Sequence, residues 1–181
     1  MDLNQVILVD EADNAQGACE KMEAHEKGLL HRAFSVFIFN SKGEMLLQQR
    51  AKEKYHSGGL WTNACCSHPA FGEATIDAVH RRLREELGFD TFTDKIFDFV
   101  YKAGFDNGLT EYEFDHVFAG EYEGPIHMNP EEVMAVRYLP VPAITGSLSA
   151  EPELYTAWFH IAFPKIRDWW QARYAADAVP A

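Results

Sequence analysis

Basic side chains are scarce in this sequence, which has 16 Lys and Arg against 28 Asp and Glu and a formal net charge of −12. Non-specific nucleic-acid binding depends on an excess of lysine and arginine, so this composition argues against a nucleic-acid partner. Any anionic ligand must therefore be held by a minority of the charged residues. Hydrophobic residues make up 47% and charged residues 24%, which are ordinary globular values and exclude extensive disorder.

Cysteines and long apolar runs are also few. The three cysteines, Cys19 and the adjacent pair Cys65 and Cys66, make a poor disulfide framework and indicate a reducing compartment. No stretch approaches the roughly 20 apolar residues that a membrane span needs. The apolar run at 6–9 is too short, and too acidic at its end, for a signal peptide. We therefore expect a cytoplasmic protein without a membrane partner, a single domain over 1–181, and either a monomer or a homodimer.

The pattern of apolar residues predicts strands on both sides of one clear helix. A turn at Ser41-Lys42-Gly43 predicts that two of the strands form a hairpin. The order of elements favours the α+β class, with a mixed sheet layered between helices, over a doubly wound parallel fold. The predicted extended segments are 6–9, 31–40, 44–50, 61–68, 96–102, 110–122 and 133–139.

Helix signals are strongest at 73–87 and in the C-terminal segment. The first has an apolar stripe and Gly88 at the position of a left-handed C-terminal cap. The second covers about 151–176 and should be interrupted at Pro164. The stripe of the first helix consists of Ile76, Val79, Leu83 and Leu87.

Two clusters contain imidazole and thiol groups. His25 and His31 lie just before and at the start of a predicted strand, where they could share a metal or could simply be solvated surface histidines. In an extended segment, residues two apart face the same side, so Cys66 and His68 should share a face while Cys65 points away. A thiol can accept or donate a proton with modest tuning of its pKa, which makes Cys66 a candidate for chemistry. Cys65 is better interpreted as a small buried hydrophobe.

A third cluster consists of Glu111, Glu113 and Asp115, which period two places on one face of a strand. Adjacent like charges repel and need a reason, such as a bound cation or a shared proton. The alternative is a solvated strand face, but such a face would usually mix charges of both signs. The absence of Lys and Arg here favours a metal.

The helix contributes a fourth cluster, in which Arg82 and Glu86 are one turn apart. The segment around them, Arg81-x-Leu83-x-Glu85-Glu86-x-Gly88-Phe89 with Glu73 eight residues before Arg81, resembles the Nudix box, over a region of about 67–89. In two positions it departs from the usual pattern. Ser67 replaces the leading glycine, and Arg82 replaces the glutamate after the box arginine, which weighs against pyrophosphate hydrolysis.

Both departures fit one branch of that superfamily. The segments Thr62-Asn63-Ala64-Cys65-Cys66-Ser67-His68-Pro69 and Glu111-Tyr112-Glu113 resemble the cysteine and glutamate motifs of type I isopentenyl-diphosphate isomerases. The resemblance covers about 6–158 and implies a Nudix-like fold. It also implies that the protein interconverts isopentenyl and dimethylallyl diphosphate.

The resemblance implies two metal sites. Glu86, in the box, would hold a Mg²⁺ ion that bridges the substrate diphosphate. A second divalent ion, Mn²⁺ or Zn²⁺, suits a cage of imidazoles and carboxylates. By resemblance, its ligands would be His25, His31, His68, Glu111 and Glu113.

The resemblance also implies how the substrate is held and how protons move. Cys66 and Glu113 would be the proton-transfer pair, Tyr101 would assist near the glutamate, and Trp158 would cover the hydrocarbon end. Which member of the pair gives the proton stays open, because the reaction is reversible. The cations on the diphosphate would be Lys21, Arg50, Lys54 and Arg82.

Three other functions were compared with this one. A Nudix pyrophosphohydrolase would need a more complete Nudix box than this one, and Cys66 would have no role in it. A non-catalytic metal-binding domain would leave Cys66, beside His68, without a role. A thiol hydrolase is disfavoured because neighbours two apart on one strand rarely form a base–nucleophile pair.

Overall fold

The computed structural model describes residues 2–54 and 56–174 of the 181-residue chain. The described residues form one mixed sheet and four α-helices, which confirms the predicted α+β class. The strands are Gln5–Val9 (β1), Ala15–Glu20 (β2), His31–Phe39 (β3), Met45–Arg50 (β4), Trp61–Thr62 (β5), Cys65–Ser67 (β6), Thr93–Gly104 (β7), Thr110–Glu121 (β8) and Val133–Leu139 (β9). The helices are Lys21–Lys27 (α1), Thr75–Leu87 (α2), Val141–Ala150 (α3) and Ala157–Tyr174 (α4).

Strand β3 is the centre of the sheet. It pairs in parallel with β8 along its whole length and antiparallel with β1, β4 and β6. Every β3 residue except Arg32 is buried, as expected for a strand covered on both faces. Residues that face the same way on β6, β3 and β8 therefore form rows across three neighbouring strands.

The sheet separates two apolar cores. On one face, Phe34, Val36 and Ile38 pack with the buried side of α2. On the other face, Phe37 and Phe39 pack with residues of α3 and α4. Because side chains alternate along a strand, this single strand supplies both layers, and the predicted layering of the sheet between helices is confirmed.

Helix α2 begins at Thr75, two residues later than predicted, and ends at Leu87; Gly88, with a φ of 70°, forms the predicted left-handed cap. The predicted apolar stripe is wrong at one position, because the Ile76 side chain is 37% exposed and does not lie on the buried face of the helix. Its place on the buried face is taken by Ala78 and by Glu86, a charged residue that points into the protein.

Three further expectations need correction. The predicted hairpin of β3 and β4 has its turn, with Gly43 at φ 70°, but the strands pair only at Phe39 and Met45 because β4 turns away to β9. Pro164 does not interrupt the C-terminal helix; α4 runs through it, and residues before Ala157 form a short 3-10 turn at Pro152–Leu154. The end of the predicted segment, 175–176, lies outside the described residues. Elements β2, α1 and α3 were not predicted.

Candidate active site

Four metal-ligating side chains come together between α1, β3, β6 and β8. One ligand atom from each of His25, His31, His68 and Glu113 lies within 4.8 Å of the others. The Nε2 atoms of His31 and His68 are 3.2 Å apart, and His68 Nε2 is 2.9 Å from Glu113 Oε1. The register of the parallel pair places His31 directly opposite Glu113, so the sheet itself builds half of the cluster.

Backbone carbonyls orient two of these imidazoles. His25 Nδ1 is 2.6 Å from the carbonyl of Lys21, and His31 Nδ1 is 2.8 Å from the carbonyl of Leu29. A ring nitrogen that donates to a carbonyl leaves the other nitrogen as a lone pair, which is the usual way in which a protein prepares histidine as a ligand. Three imidazoles, two of them oriented in this way, and one carboxylate fit a divalent transition metal.

Burial also favours the ligating forms of these groups. Burial lowers the pKa of His25, and it lowers the pKa of His68 to about 4. Burial alone would raise the pKa of Glu113, but its contacts with the His31 and His68 imidazoles outweigh burial and hold that pKa well below its usual range. Neutral imidazoles and an ionised carboxylate are the forms that bind a cation.

Glu111, the fifth ligand implied by the resemblance, lies beside this cluster and not within the group of four. Its carboxylate is 3.1 Å from the Tyr101 hydroxyl and 3.3 Å from His56 Nε2. Burial and the charge of Glu113 raise its pKa well above the usual value. The Tyr101 hydroxyl also lies 2.6 Å from Glu113 Oε2, so it bridges the two glutamates.

A cleft opens beside the cluster. All of the predicted site residues except His25 and His31 line it. They are Lys21, Arg50, Lys54, Cys66, His68, Arg82, Glu86, Tyr101, Glu111, Glu113 and Trp158.

Several basic side chains line this cleft, among them Lys21, Lys54 and Arg82. Burial lowers the pKa of Lys21, and the charges of Lys54 and Arg82 lower it further. Arg82 contacts Glu86 at 2.7 Å and Glu132 at 3.4 Å, and Lys54 also contacts Glu132. Like charges gathered in a partly buried cleft favour an anionic ligand.

Cys66 and Cys65 point to opposite faces of β6, as predicted. The Cys66 thiol lines the cleft and donates to Asn63 Oδ1 at 3.0 Å. Burial and the charge of Asp115 raise the pKa of this thiol. Cys65 packs in the core under α2, although its sulfur also lies 3.4 Å from Glu86 Oε1.

The acidic face of β8 is buried and not solvated. Asp115 is 2% exposed, and one of its oxygens, Oδ2, accepts a hydrogen bond from Ser35 Oγ at 2.8 Å. Its other oxygen, Oδ1, has no hydrogen-bond partner in the described part of the chain. A buried acceptor without a partner costs about 1–3 kcal/mol of stability.

Several cleft residues were not among the sequence-predicted site residues. His56 stacks on Phe105 at 4.8 Å and meets the Trp158 ring edge-on at 5.7 Å, and burial, with the charge of Arg50, lowers its pKa to about 3. Ser35, Gln48 and Glu132 also line the cleft. Period two could have identified Ser35, which lies on the same face of β3 as His31.

The fold and the box helix define the class of protein. The NUDIX domain family matches residues 29–159. A Deinococcus radiodurans structure superposes with a TM-score of 0.67 at 19% identity, covering 81% of this chain and 90% of that one. A MutT protein from Methanosarcina mazei gives 0.64 at 19% identity, covering 77% and 94%. At this identity, the two structures support the fold alone.

Sequence relatives narrow the class. Isopentenyl-diphosphate Delta-isomerase from Pectobacterium atrosepticum is 51% identical over 172 residues, which is 95% of this chain and 96% of the relative. The protein of the same name from Burkholderia multivorans is 51% identical over 156 residues, covering 86% and 89%. The chain belongs to the isopentenyl-diphosphate Delta-isomerase family of NUDIX-domain proteins.

Proposed function

We propose that this chain interconverts isopentenyl diphosphate and dimethylallyl diphosphate in isoprenoid biosynthesis. One observation carries the proposal: a thiol, Cys66, and an ionised carboxylate, Glu113, line the same cleft as four basic side chains. The reaction needs two proton-transfer groups on one hydrocarbon and an anchor for a diphosphate. The relatives' name describes this reaction.

The diphosphate anchors the substrate and takes no part in bond changes. Lys21, Arg50, Lys54 and Arg82 hold it through charge-assisted hydrogen bonds. Fixing this end orients the alkene between the proton-transfer groups. Ideal positioning of reacting groups can lower an activation barrier by about 7–11 kcal/mol, and part of that gain is expected here. Glu86 is the residue that would hold Mg²⁺, which would neutralise part of the diphosphate charge.

Two proton transfers move the double bond. One group of the pair Cys66 and Glu113 forms a C–H bond at the terminal alkene carbon, and the other removes a proton from the methylene on the far side of the branched carbon. The Tyr101 hydroxyl, 2.6 Å from Glu113, supports that carboxylate as it gains or loses a proton. Because the reaction is reversible, each group fills both roles over a forward and a reverse turnover.

The intermediate resembles a tertiary carbocation and must be kept from water. Trp158 is 3% exposed and presents its ring to the cleft, beside the neutral ring of His56. Aromatic faces attract a nearby cation by roughly 0.5–2 kcal/mol. Trp158 therefore covers the hydrocarbon end of the substrate.

His25, His31, His68 and Glu113, with Glu111 beside them, are the residues that would hold Mn²⁺ or Zn²⁺. A bound divalent ion supplies positive charge next to the carboxylate and so changes its acidity. The chain's own contribution is to orient the imidazoles and to keep Glu113 ionised.

We further propose that the enzyme works in the cytoplasm and forms one domain. The cysteines Cys19, Cys65 and Cys66 are all free thiols, which suits a reducing compartment. No helix among the described residues has the length and apolar character needed to cross a membrane.

Product analysis tests the proposed function. Purified protein with Mg²⁺ and Mn²⁺ should convert isopentenyl diphosphate to the allylic isomer, which proton NMR distinguishes, without releasing inorganic phosphate. Phosphate release without allylic product would refute the isomerase and support the hydrolase. Cys66→Ala and Glu113→Gln should each abolish isomerisation, whereas the control Cys65→Ala, on the opposite face of β6, should leave most of it. Equal loss in all three variants would mean that the wrong cysteine has been assigned.

A further inference from the structure

A row of three polar side chains crosses the sheet beside the cleft. Ser35 on β3 is the register partner of Cys66 on β6, and Ala33, two residues before it, is the partner of Asp115 on β8. Cys66, Ser35 and Asp115 therefore project from three neighbouring strands to the same face. Cys66 belongs to the proposed chemistry; the other two have no role in it so far.

Hydrogen bonds connect the row. Ser35 Oγ donates to Asp115 Oδ2 at 2.8 Å and lies 3.5 Å from Cys66 Sγ. Ser35 is 3% exposed and Asp115 is 2% exposed, so bulk water does not compete for these contacts. A hydroxyl has one proton and two lone pairs, so Ser35 can accept from the thiol while it donates to Asp115, or can turn and donate to the sulfur.

The other polar neighbour of the sulfur has a fixed orientation. Both amide protons of Asn63 are used, at 3.0 Å by the carbonyl of Val36 and at 2.9 Å by the carbonyl of Cys65. Asn63 therefore presents only its oxygen to Cys66. Ser35 differs from Asn63 because its hydroxyl can either accept a hydrogen bond from the thiol or donate one to the sulfur.

Stability alone does not explain Asp115. An apolar strand residue would fill this buried position without leaving Oδ1 unpartnered among the described residues. Ser35 is its neighbour on the row. Among the described residues, the Ser35 hydroxyl is the one group that forms a hydrogen bond with the Asp115 side chain.

We propose that Ser35, oriented by Asp115, is a positioning residue that holds the Cys66 sulfur in line with the substrate. This inference rests on the proposed function, because it concerns the thiol of the proton-transfer pair. In the described part of the chain, the hydrogen bonds of these two side chains join them to each other and to Cys66, and not to the cations proposed to bind the diphosphate. Their effect should therefore fall on the chemical step and not on binding.

Steady-state kinetics of matched variants test the proposal. Ser35→Ala should lower kcat about tenfold, the effect of one hydrogen bond of ordinary strength in the transition state, with KM unchanged. Ser35→Thr retains the hydroxyl and should recover most of the rate. Ser41→Ala is the matched control, because Ser41 also donates to a carboxylate, Glu123, at 2.7 Å, but on an exposed turn; its kcat should equal that of the wild type.

A double-mutant cycle tests the link to Asp115. Asp115→Val should lower kcat as Ser35→Ala does, and the double variant should be no slower than either single one, because both remove the same hydrogen bond. Asp115→Asn retains an acceptor oxygen and should be less impaired. Additive losses would overturn the role of Asp115 in orienting Ser35.

A spectroscopic readout separates positioning from a structural role. In a Cys19→Ala, Cys65→Ala background, the one remaining thiol is Cys66, and its S–H stretching band in the infrared reports its hydrogen bonds. Ser35→Ala should shift this band while the thermal midpoint stays close to that of the background. An unshifted band, or a lower midpoint with unchanged kcat, would overturn the proposal.

The two proposals can fail separately. If the wild type makes no allylic product, the proposed function fails, and with it the kinetic role of Ser35. If the wild type isomerises its substrate and Ser35→Ala does so at the same rate, the positioning role fails while the proposed function stands.

Discussion

Replacing Tyr101 by phenylalanine should slow the chemical step while leaving substrate binding intact. The Tyr101 hydroxyl is 2.6 Å from Glu113 Oε2 and 3.1 Å from Glu111 Oε2, and its single proton can serve only one of them at a time. The shorter contact identifies Glu113 as the main partner. A hydrogen bond to a charged group contributes about 1.5–3 kcal/mol, so kcat should fall about tenfold to 150-fold if the bond is used fully in the transition state.

The substitution is well suited to this test because it removes one atom. The Tyr101 ring packs against Phe99, at 5.8 Å between centroids, and a phenylalanine ring can keep that contact. KM should stay near the wild-type value, since the Tyr101 hydroxyl contacts the two glutamates and not a residue proposed to bind the diphosphate. Steady-state kinetics and metal analysis of the same preparation check the prediction. An unchanged kcat, or a raised KM with unchanged kcat, would refute the assignment of Tyr101 to the proton-transfer step.

Three further predictions follow from other parts of the structure. Lys54→Met should raise KM for the diphosphate about tenfold, with a smaller effect on kcat, because it removes one charge-assisted hydrogen bond; equal KM values in a kinetic comparison with the wild type would contradict this. Bound Mn²⁺ or Zn²⁺ should be released only well below the usual histidine range as the pH falls, because protons compete for His68 only near its pKa of about 4; a chelator titration that shows release near pH 6.5 would contradict it. Gly88→Ala should lower stability by more than about 1 kcal/mol in urea unfolding, because φ is +70° and the added Cβ would lie 2.6 Å from the His127 carbonyl oxygen; an unchanged midpoint would show that the cap relaxes.

Strong periodicity explains which parts of the fold could be predicted from the sequence. Helix α2 and strands β3 and β8 each bury a continuous face, so their apolar patterns are clear. Helix α1 has seven residues and buries only Ala24 and His25, so it leaves no apolar pattern. A proline inside a helix, such as Pro164 in α4, normally lowers the stability of the helix by about 3 kcal/mol. Here the packing of Phe163 and Ile166 in the core outweighs that preference, which a local rule cannot foresee.

The candidate site shows the same division. The family resemblance implied most of the residues that line the cleft. Strand period two and helix period 3.6 could predict only which residues of one element share a face, such as Cys66 with His68 and Arg82 with Glu86. His56 was missed because it lies in an irregular loop, where no period tells which way a side chain points. Asp115 was recognised as part of the acidic face, but its contact with Ser35 depends on the pairing of β3 with β8, two strands that are far apart in the sequence.

Net charge also has a different meaning once the cleft is known. The value of −12 describes the whole chain, whereas Lys21, Lys54 and Arg82 gather at one place. The basic side chains that line the cleft are what suit it to a diphosphate.

Deuterium incorporation from heavy water tests the central claim most directly. Isomerisation by an added and a removed proton should place solvent deuterium on the new methyl carbon of dimethylallyl diphosphate, which mass spectrometry and NMR detect. Cys65→Ala should retain this incorporation, and Cys66→Ala should lose it. Allylic product formed in heavy water without deuterium would contradict proton transfer through exchangeable groups of the cleft, and with it the roles of Cys66 and Glu113.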